Sequence, residues 1–138
     1  MQQKPAFFSR TYDETFDLMV EARNYLEHFD RRDRERAGVV AGLRLSCEAM
    51  RVTSRLTQVM AWLMMQRAVH QGEITSDEAM AEDNRLAAAD VCLDESFAED
   101  QTIPGGLRSL LDRSLRLYVR VAHIEAQMLD RTGRLATG

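Results

Sequence analysis

The side chains in this sequence able to do chemistry are few. They are three histidines, two cysteines, and a row of arginines that shares a helical face with the single tryptophan. His28, His70 and His123 are scattered along the chain, and none has a second ligand at the spacing of a metal-binding face. They read as surface or helix-end residues. Cys47 falls among apolar residues at helical spacing and reads as a small core hydrophobe. Cys92 could be exposed, but the acids around it would raise its pKa and make it a poor nucleophile. Gly105-Gly106 lack the pattern and the preceding strand of a phosphate loop. Paired carboxylates for acid–base work need a cleft, and the acids here gather on one stretch that reads as exposed.

The arginine row is more informative. Arg44, Glu48, Arg51, Arg55, Gln58, Trp62 and Gln66 advance by three or four residues, which sets them on one polar face of a helix. Tryptophan and arginine are enriched in binding hot spots, so this face is a candidate protein-binding surface. The structural alternative is that Trp62 is covered by the following helix or by Phe7 and Phe8 folding back from the N-terminal tail. Arg113, Arg116 and Arg120 form a related set near the other end of the chain, and Arg113 and Arg116 most simply answer the acidic stretch. An enzyme reading rests on Arg51, Arg55 and Gln58, the residue types with which small bundles such as chorismate mutases hold dianionic substrates. The match is to residue type alone, and the apolar stripes leave no evident lined pocket. The residues therefore point to a non-enzymatic protein without cofactor or metal.

The elements that must position these residues are helical. At 138 residues the chain has the size of one domain, expected over residues 1–138 with short flexible termini. Its 45% hydrophobic and 29% charged content is too apolar for a disordered chain. Glycine and proline are sparse, and good helix formers dominate. A net charge of −4 does not favour nucleic acid or an anionic membrane. The run Met60 to Met65 is far short of the roughly 20 residues a bilayer span needs. No signal-peptide pattern is present, and two unpaired cysteines suit a reducing cytoplasm.

The pattern predicts an antiparallel three-helix bundle with helices over about 11–30, 36–71 and 106–131, and a weak extra helix over about 76–97. Residues 1 to about 10 read as a tail, and Thr11 with Glu14 as a capping box opening the first helix, whose stripe is Leu18, Ala22, Tyr25 and Phe29. Asp30 to Arg36 mixes signs and reads as a solvated corner. The second helix carries two apolar stripes. One is Val40, Leu43, Cys47, Met50, Thr57 and Met64; the other is Leu45, Ala49, Val52, Leu56, Val59 and Leu63. A bundle helix needs one stripe, so two imply enclosure by neighbours or packing against a second subunit. Gly72 ends this helix, and Thr75 with Glu78 repeats the capping-box signal. Between Asp77 and Thr102 nine acids face Arg85 alone, which predicts a marginal, partly exposed helix and a loop. Pro104 opens the last helix, and Thr132 to Gly138 read as a loose tail.

Residues 46–56 (Ser-Cys-Glu-Ala-Met-Arg-Val-Thr-Ser-Arg-Leu), 61–69 (Ala-Trp-Leu-Met-Met-Gln-Arg-Ala-Val) and 72–75 (Gly-Glu-Ile-Thr) resemble the alphaproteobacterial RcdA family, regulators of CtrA degradation. Leu107-Arg108, Asp112-Arg113-Ser114 and Leu117-Tyr118-Val119-Arg120-Val121 are similar to that family's last helix, and the resemblance spans about residues 11 to 131. It implies a homodimeric helical bundle, without enzymatic activity or cofactor, that acts as a proteolytic adaptor for the ClpXP protease. The implied partners are a receiver-type co-adaptor that primes the protease, a cyclic-di-GMP-binding co-adaptor and cargo regulators. Nucleic acid and membrane insertion are not among them. The implied location is the cytoplasm, with concentration at a cell pole. Matched position and side-chain chemistry together nominate Arg51, Arg55, Trp62, Arg67, Arg113, Tyr118 and Arg120 for protein binding. Family members can carry a longer charged C-terminal extension than the seven residues after Arg131 here.

Overall fold

A computed structural model describes residues 6–28 and 30–137, and of these the side chains of 6, 7, 30, 33, 34 and 134–137 are not described. The expectations for the tail before Ala6, Phe7 and Phe29 lie outside the described residues and side chains. The described chain is helical, as expected, and has no strand. Helix α1 runs Ala6–His28, α2 Asp30–Ala37, α3 Val39–His70, and the last helix Gly105–Thr137. Between His70 and Gly105 lie α4 (Ser76–Ala79), a 3-10 turn over Glu82–Asn84, α5 (Ala89–Cys92) and a second 3-10 turn over Ser96–Glu99. The last helix is therefore α6.

Four expectations about boundaries are corrected. The first helix begins at Ala6 and not at Thr11, where the Thr15 hydroxyl donates to the Thr11 carbonyl at 2.7 Å inside the helix. The corner at Asp30–Arg36 is itself helical, and Gly38, at φ 89°, makes the break before α3 in a conformation only glycine adopts freely. The single helix expected over 76–97 is four short turns. Its many small residues supply too little apolar surface to hold a continuous helix against its charge. Finally, α6 continues through Thr137, past the expected tail boundary.

Two punctuation signals are realised as written. At the end of α3, the Gly72 N–H donates to the Val69 carbonyl and the Glu73 N–H to the Ala68 carbonyl, with Gly72 at φ 78°. This is a Schellman cap, which satisfies carbonyls the helix leaves open. At the start of α4, the Glu78 N–H donates to the Thr75 hydroxyl at 3.1 Å, and that hydroxyl donates to the Glu78 carboxylate at 3.2 Å.

Side-chain contacts set the helix directions. Glu14 meets Arg120 while Glu21 meets Arg113, so α1 runs antiparallel to α6. Arg55 meets Leu111 and Ser114, whereas Trp62 and Gln66 share a small cavity with Glu125 and Met128. Helices α3 and α6 therefore run in the same direction, which corrects the expectation of an all-antiparallel bundle. A short loop would force them antiparallel; the chain from Gln71 to Pro104 is long enough to return along α3 before α6 starts. One apolar cluster joins Leu18 and Ala22 of α1, the second stripe of α3, and Leu107, Leu110, Leu111, Leu117 and Val121 of α6, with Cys92, Phe97 and Ile103 from the return chain. Gly106 lets α1 approach: a Cβ there would lie 2.7 Å from the Tyr25 ring.

Candidate functional site

The return chain, residues 80–103, is a strap laid in the groove between α3 and α6. Cys92, Phe97 and Ile103 point down into the core, while most of its acids remain in water. The groove holds the strap chiefly by its main chain. The Leu86 N–H donates to Glu125 Oε2 at 2.9 Å and the Ala87 N–H to Gln58 Oε1 at 2.8 Å, while the Tyr118 hydroxyl donates to the Ala87 carbonyl at 3.0 Å. Arg51 donates to the Val91 carbonyl at 2.6 Å. Arg55 donates through Nε to Cys92 O at 2.7 Å, through Nη2 to Asp94 O at 2.6 Å, and through Nη1 to Leu111 O at 2.9 Å and Ser114 Oγ at 3.2 Å. Arg108 donates to the Phe97 carbonyl at 3.0 Å and to that of Asp100. Arg44 completes the row, 3.3 Å from the Asp100 carboxylate.

Burial sets the electrostatics of this groove. Arg55 has no exposed surface, and burial followed by the nearby Arg51 lowers its pKa from the ordinary guanidinium value. Its charge is answered by carbonyl dipoles and by the Phe97 ring, whose centre lies 5.9 Å from the guanidinium carbon. Burial pushes the Tyr118 hydroxyl up to about 12, and it stays a neutral donor. Burial likewise raises the Cys92 thiol, against the pull of Arg55 and Arg51. Glu48 is buried beside Arg51, whose Nε lies 3.3 Å from Glu48 Oε1; the other oxygen, Oε2, is buried without a donor. The Ser96 hydroxyl and N–H hold Asp94 below the usual carboxylate range, and those of Thr102 do the same for Asp100.

A second charged feature lies between α1 and α6. An open cleft of about 650 Å³ is lined by Glu14, Asp17, Leu18, Glu21, Arg113, Arg116 and Arg120. Arg113 meets Glu21 at 2.6 Å and Arg120 meets Glu14 at 2.7 Å, while Arg116 turns to Asp112 on its own helix at 3.0 Å. The hydrogen bond from Arg113 holds the Glu21 carboxyl below its ordinary range.

The third feature is the outer face of α3. Every member of its first stripe is exposed, with Val40 at 83%, Met50 at 69% and Leu43 at 64%. The members of the second stripe are buried in the core.

The structure thus divides the residues nominated for protein binding. Arg55, Trp62 and Tyr118 are buried, and Arg51 is half-buried at the edge of the strap. Trp62 is packed edge-on to Phe8, their ring centres 5.6 Å apart, and faces Ala79 and Met80, so the covered reading of this face holds. Arg67 lies over the Tyr12 ring at 5.9 Å, on the exposed side of α3. Arg113 and Arg120 are exposed and engage α1; Arg113 and Arg116 do not answer the acidic stretch, a task that falls to Arg44, Arg51, Arg55 and Arg108. The two cysteines exchange their expected places: Cys47 is exposed and Cys92 buried. The sequence reading did not single out Arg108 and Glu125. Their partners are main-chain atoms, which leave no trace in residue type. Among the described residues, no three His, Cys, Asp or Glu side chains are grouped to hold a metal, and no helix is long and apolar enough to cross a membrane.

No curated protein matches the chain. The family model described as protein of unknown function (DUF1465) matches residues 1–136. The crystal structure of RcdA from Caulobacter crescentus CB15 is similar at 38% identity, covering 91% of this chain and 92% of that one, with a TM-score of 0.71. A match of this extent, over helices whose cores and caps follow from the residues themselves, makes the chain a member of the RcdA family, the group that the DUF1465 model describes.

Proposed function

We propose that this protein is a non-enzymatic adaptor, working as a homodimer, that helps deliver regulatory proteins to the ClpXP protease. The observation that carries the reading is the exposed apolar stripe of α3. Val40, Leu43, Met50 and Met64 stand in water along a helix of 32 residues, close to 48 Å long at 1.5 Å per residue. The exposed apolar side chains are densest over Val40–Met50, and such a grouping is the mark of an association surface. A second copy pairing through α3 would cover it and double the number of partner sites. The resemblance to the RcdA family is what suggests the protease link, and the proposed partners are a receiver-type co-adaptor and a cyclic-di-GMP-binding co-adaptor, met in the cytoplasm at a cell pole. Exposed Arg67, Arg113 and Arg120 are the nominated contacts, while Arg51, Arg55, Trp62 and Tyr118 shape the surface from below.

Adaptor action needs no tight contact. Two weak contacts on one scaffold raise the local concentration of cargo at the protease. The test is reconstituted degradation of a candidate regulator by ClpXP, with the co-adaptors present, with and without this chain. Faster loss of the regulator only when the chain is added supports the reading. No acceleration, with co-adaptors confirmed active, overturns it in favour of a scaffold or sequestering protein without a protease link.

A further inference from the structure

We propose that the groove between α3 and α6 is a peptide-binding site, filled in this state by the chain's own strap, and that its external partner is an acidic segment of another protein. The inference stands on the geometry of the groove and does not depend on the link to proteolysis.

Three observations carry it. First, the groove recognises backbone. Arg51, Arg55 and Gln58 from α3, and Arg108, Tyr118 and Glu125 from α6, meet carbonyls and N–H groups of residues 86–100. Side-chain pockets for Cys92, Phe97 and Ile103 add apolar anchors. Main-chain hydrogen bonds for affinity, with pockets for selected side chains, are how peptide-binding grooves work. Such a grip is not restricted to one sequence.

Second, the charges are complementary. Arg44, Arg51, Arg55 and Arg108 line the floor, and the stretch from Asp77 to Thr102 that contains the strap carries nine acids, most of them in water, with Arg85 as its one base. Among the described residues, Asp100 with Arg44 is the ion pair between a strap acid and this floor. The other acids contribute by their field, which any acidic segment supplies.

Third, the strap is an imperfect occupant. Ala88 is held at φ 58°, in the left-handed region that a residue with a Cβ disfavours. Beneath the strap, Glu48 Oε2 is buried with no donor. An incoming segment with a glycine at the bend, or a donor reaching Glu48, fits the same floor better. Strap exchange with a second copy is disfavoured, because the strap is closed at both ends and exchange would require undocking α6.

The probe is a fluorescein-labelled peptide of residues 85–103, titrated against the full chain by anisotropy. In the unaltered protein the strap is mostly seated, which weakens the apparent affinity by the fraction of open molecules. Phe97→Ala removes a strap anchor and no floor residue, so it should bind the probe at least about tenfold more tightly. Adding Arg51→Ala and Arg108→Ala should abolish that gain. Ala88→Gly relieves the bend and should act oppositely, slowing hydrogen exchange of the strap amides in the intact chain. Equal or absent probe binding by a Phe97→Ala protein that keeps its helicity overturns the proposal. So does exchange of the strap amides no faster than those of the α3 core. A loosened variant that excludes the probe and doubles in mass with concentration also overturns it, in favour of strap exchange between copies.

Discussion

Arg55 places a full positive charge at a position with no exposure and answers it with carbonyls and a serine hydroxyl in place of a carboxylate. Each carbonyl left buried without its donor costs about 1–3 kcal/mol. Arg55→Ala strands those of Cys92 and Asp94, so it should lower unfolding free energy by about 2–6 kcal/mol in a urea titration. Arg55→Lys should recover less than half of that, because one ammonium cannot span the fork that reaches Cys92, Asp94 and Leu111 together. An unchanged midpoint for Arg55→Ala would show that these bonds add nothing net. The residue was visible in the sequence as one of a polar row with Trp62, but its role was not. Periodicity places a side chain on a face; it does not tell whether water or a strap covers that face. Cys47 and Cys92 show the same gap. An apolar stripe reads as buried, yet Cys47 stands exposed in the single chain.

Among the elements, the long helices were legible because their period and their breakers agree, as at the end of α3. Gly72, at φ 78° with nothing within 4 Å of an added Cβ, is limited by its backbone and not by space. Gly72→Ala should therefore cost about 1 kcal/mol, seen as a lower thermal midpoint with the helix content kept. A loss well beyond that would mean the turn positions the strap as well as ending the helix. The strap itself was the least legible element. Thr75 and Glu78 announced a helix start correctly, yet the alanine-rich, acidic sequence after it folds as separate turns. Helix propensity was outweighed by hydrogen bonds that its backbone accepts from Arg51, Arg55 and Arg108 and donates to Gln58, partners distant in sequence and therefore invisible to local reading. The direction of α6 was lost for the same reason, since it depends on the path of the strap.

For the whole molecule, the two stripes of α3 separate cleanly into a core side and an outer side. If the outer side is the dimer seam, Met50→Asp should turn a dimer into a monomer by light scattering while leaving the circular dichroism spectrum intact. Met50 is 69% exposed, so the change should cost the single chain less than about 0.5 kcal/mol. A dimer that persists at the same dissociation constant would move the seam elsewhere. The doubled stripe, legible in the sequence, is the feature on which the proposed dimer rests, because a helix that is apolar on two sides needs cover on both. The proposed partners were not legible in that way: exposed arginines such as Arg67 and Arg120 carry no signature of what they meet.

The parallel course of α3 and α6 also has a consequence for synthesis. On the ribosome, α1, α2 and α3 are complete about 35 residues before α6 begins, and α6 needs 33 more to finish. At about 5–20 residues per second, the flank of α3 that α6 will cover waits for several seconds. During that interval Leu56, Val59 and Leu63 lack their final neighbours from α6. The nascent chain is then at its stickiest, and the strap, drawn out ahead of α6, surrounds it with carboxylates that repel other nascent copies.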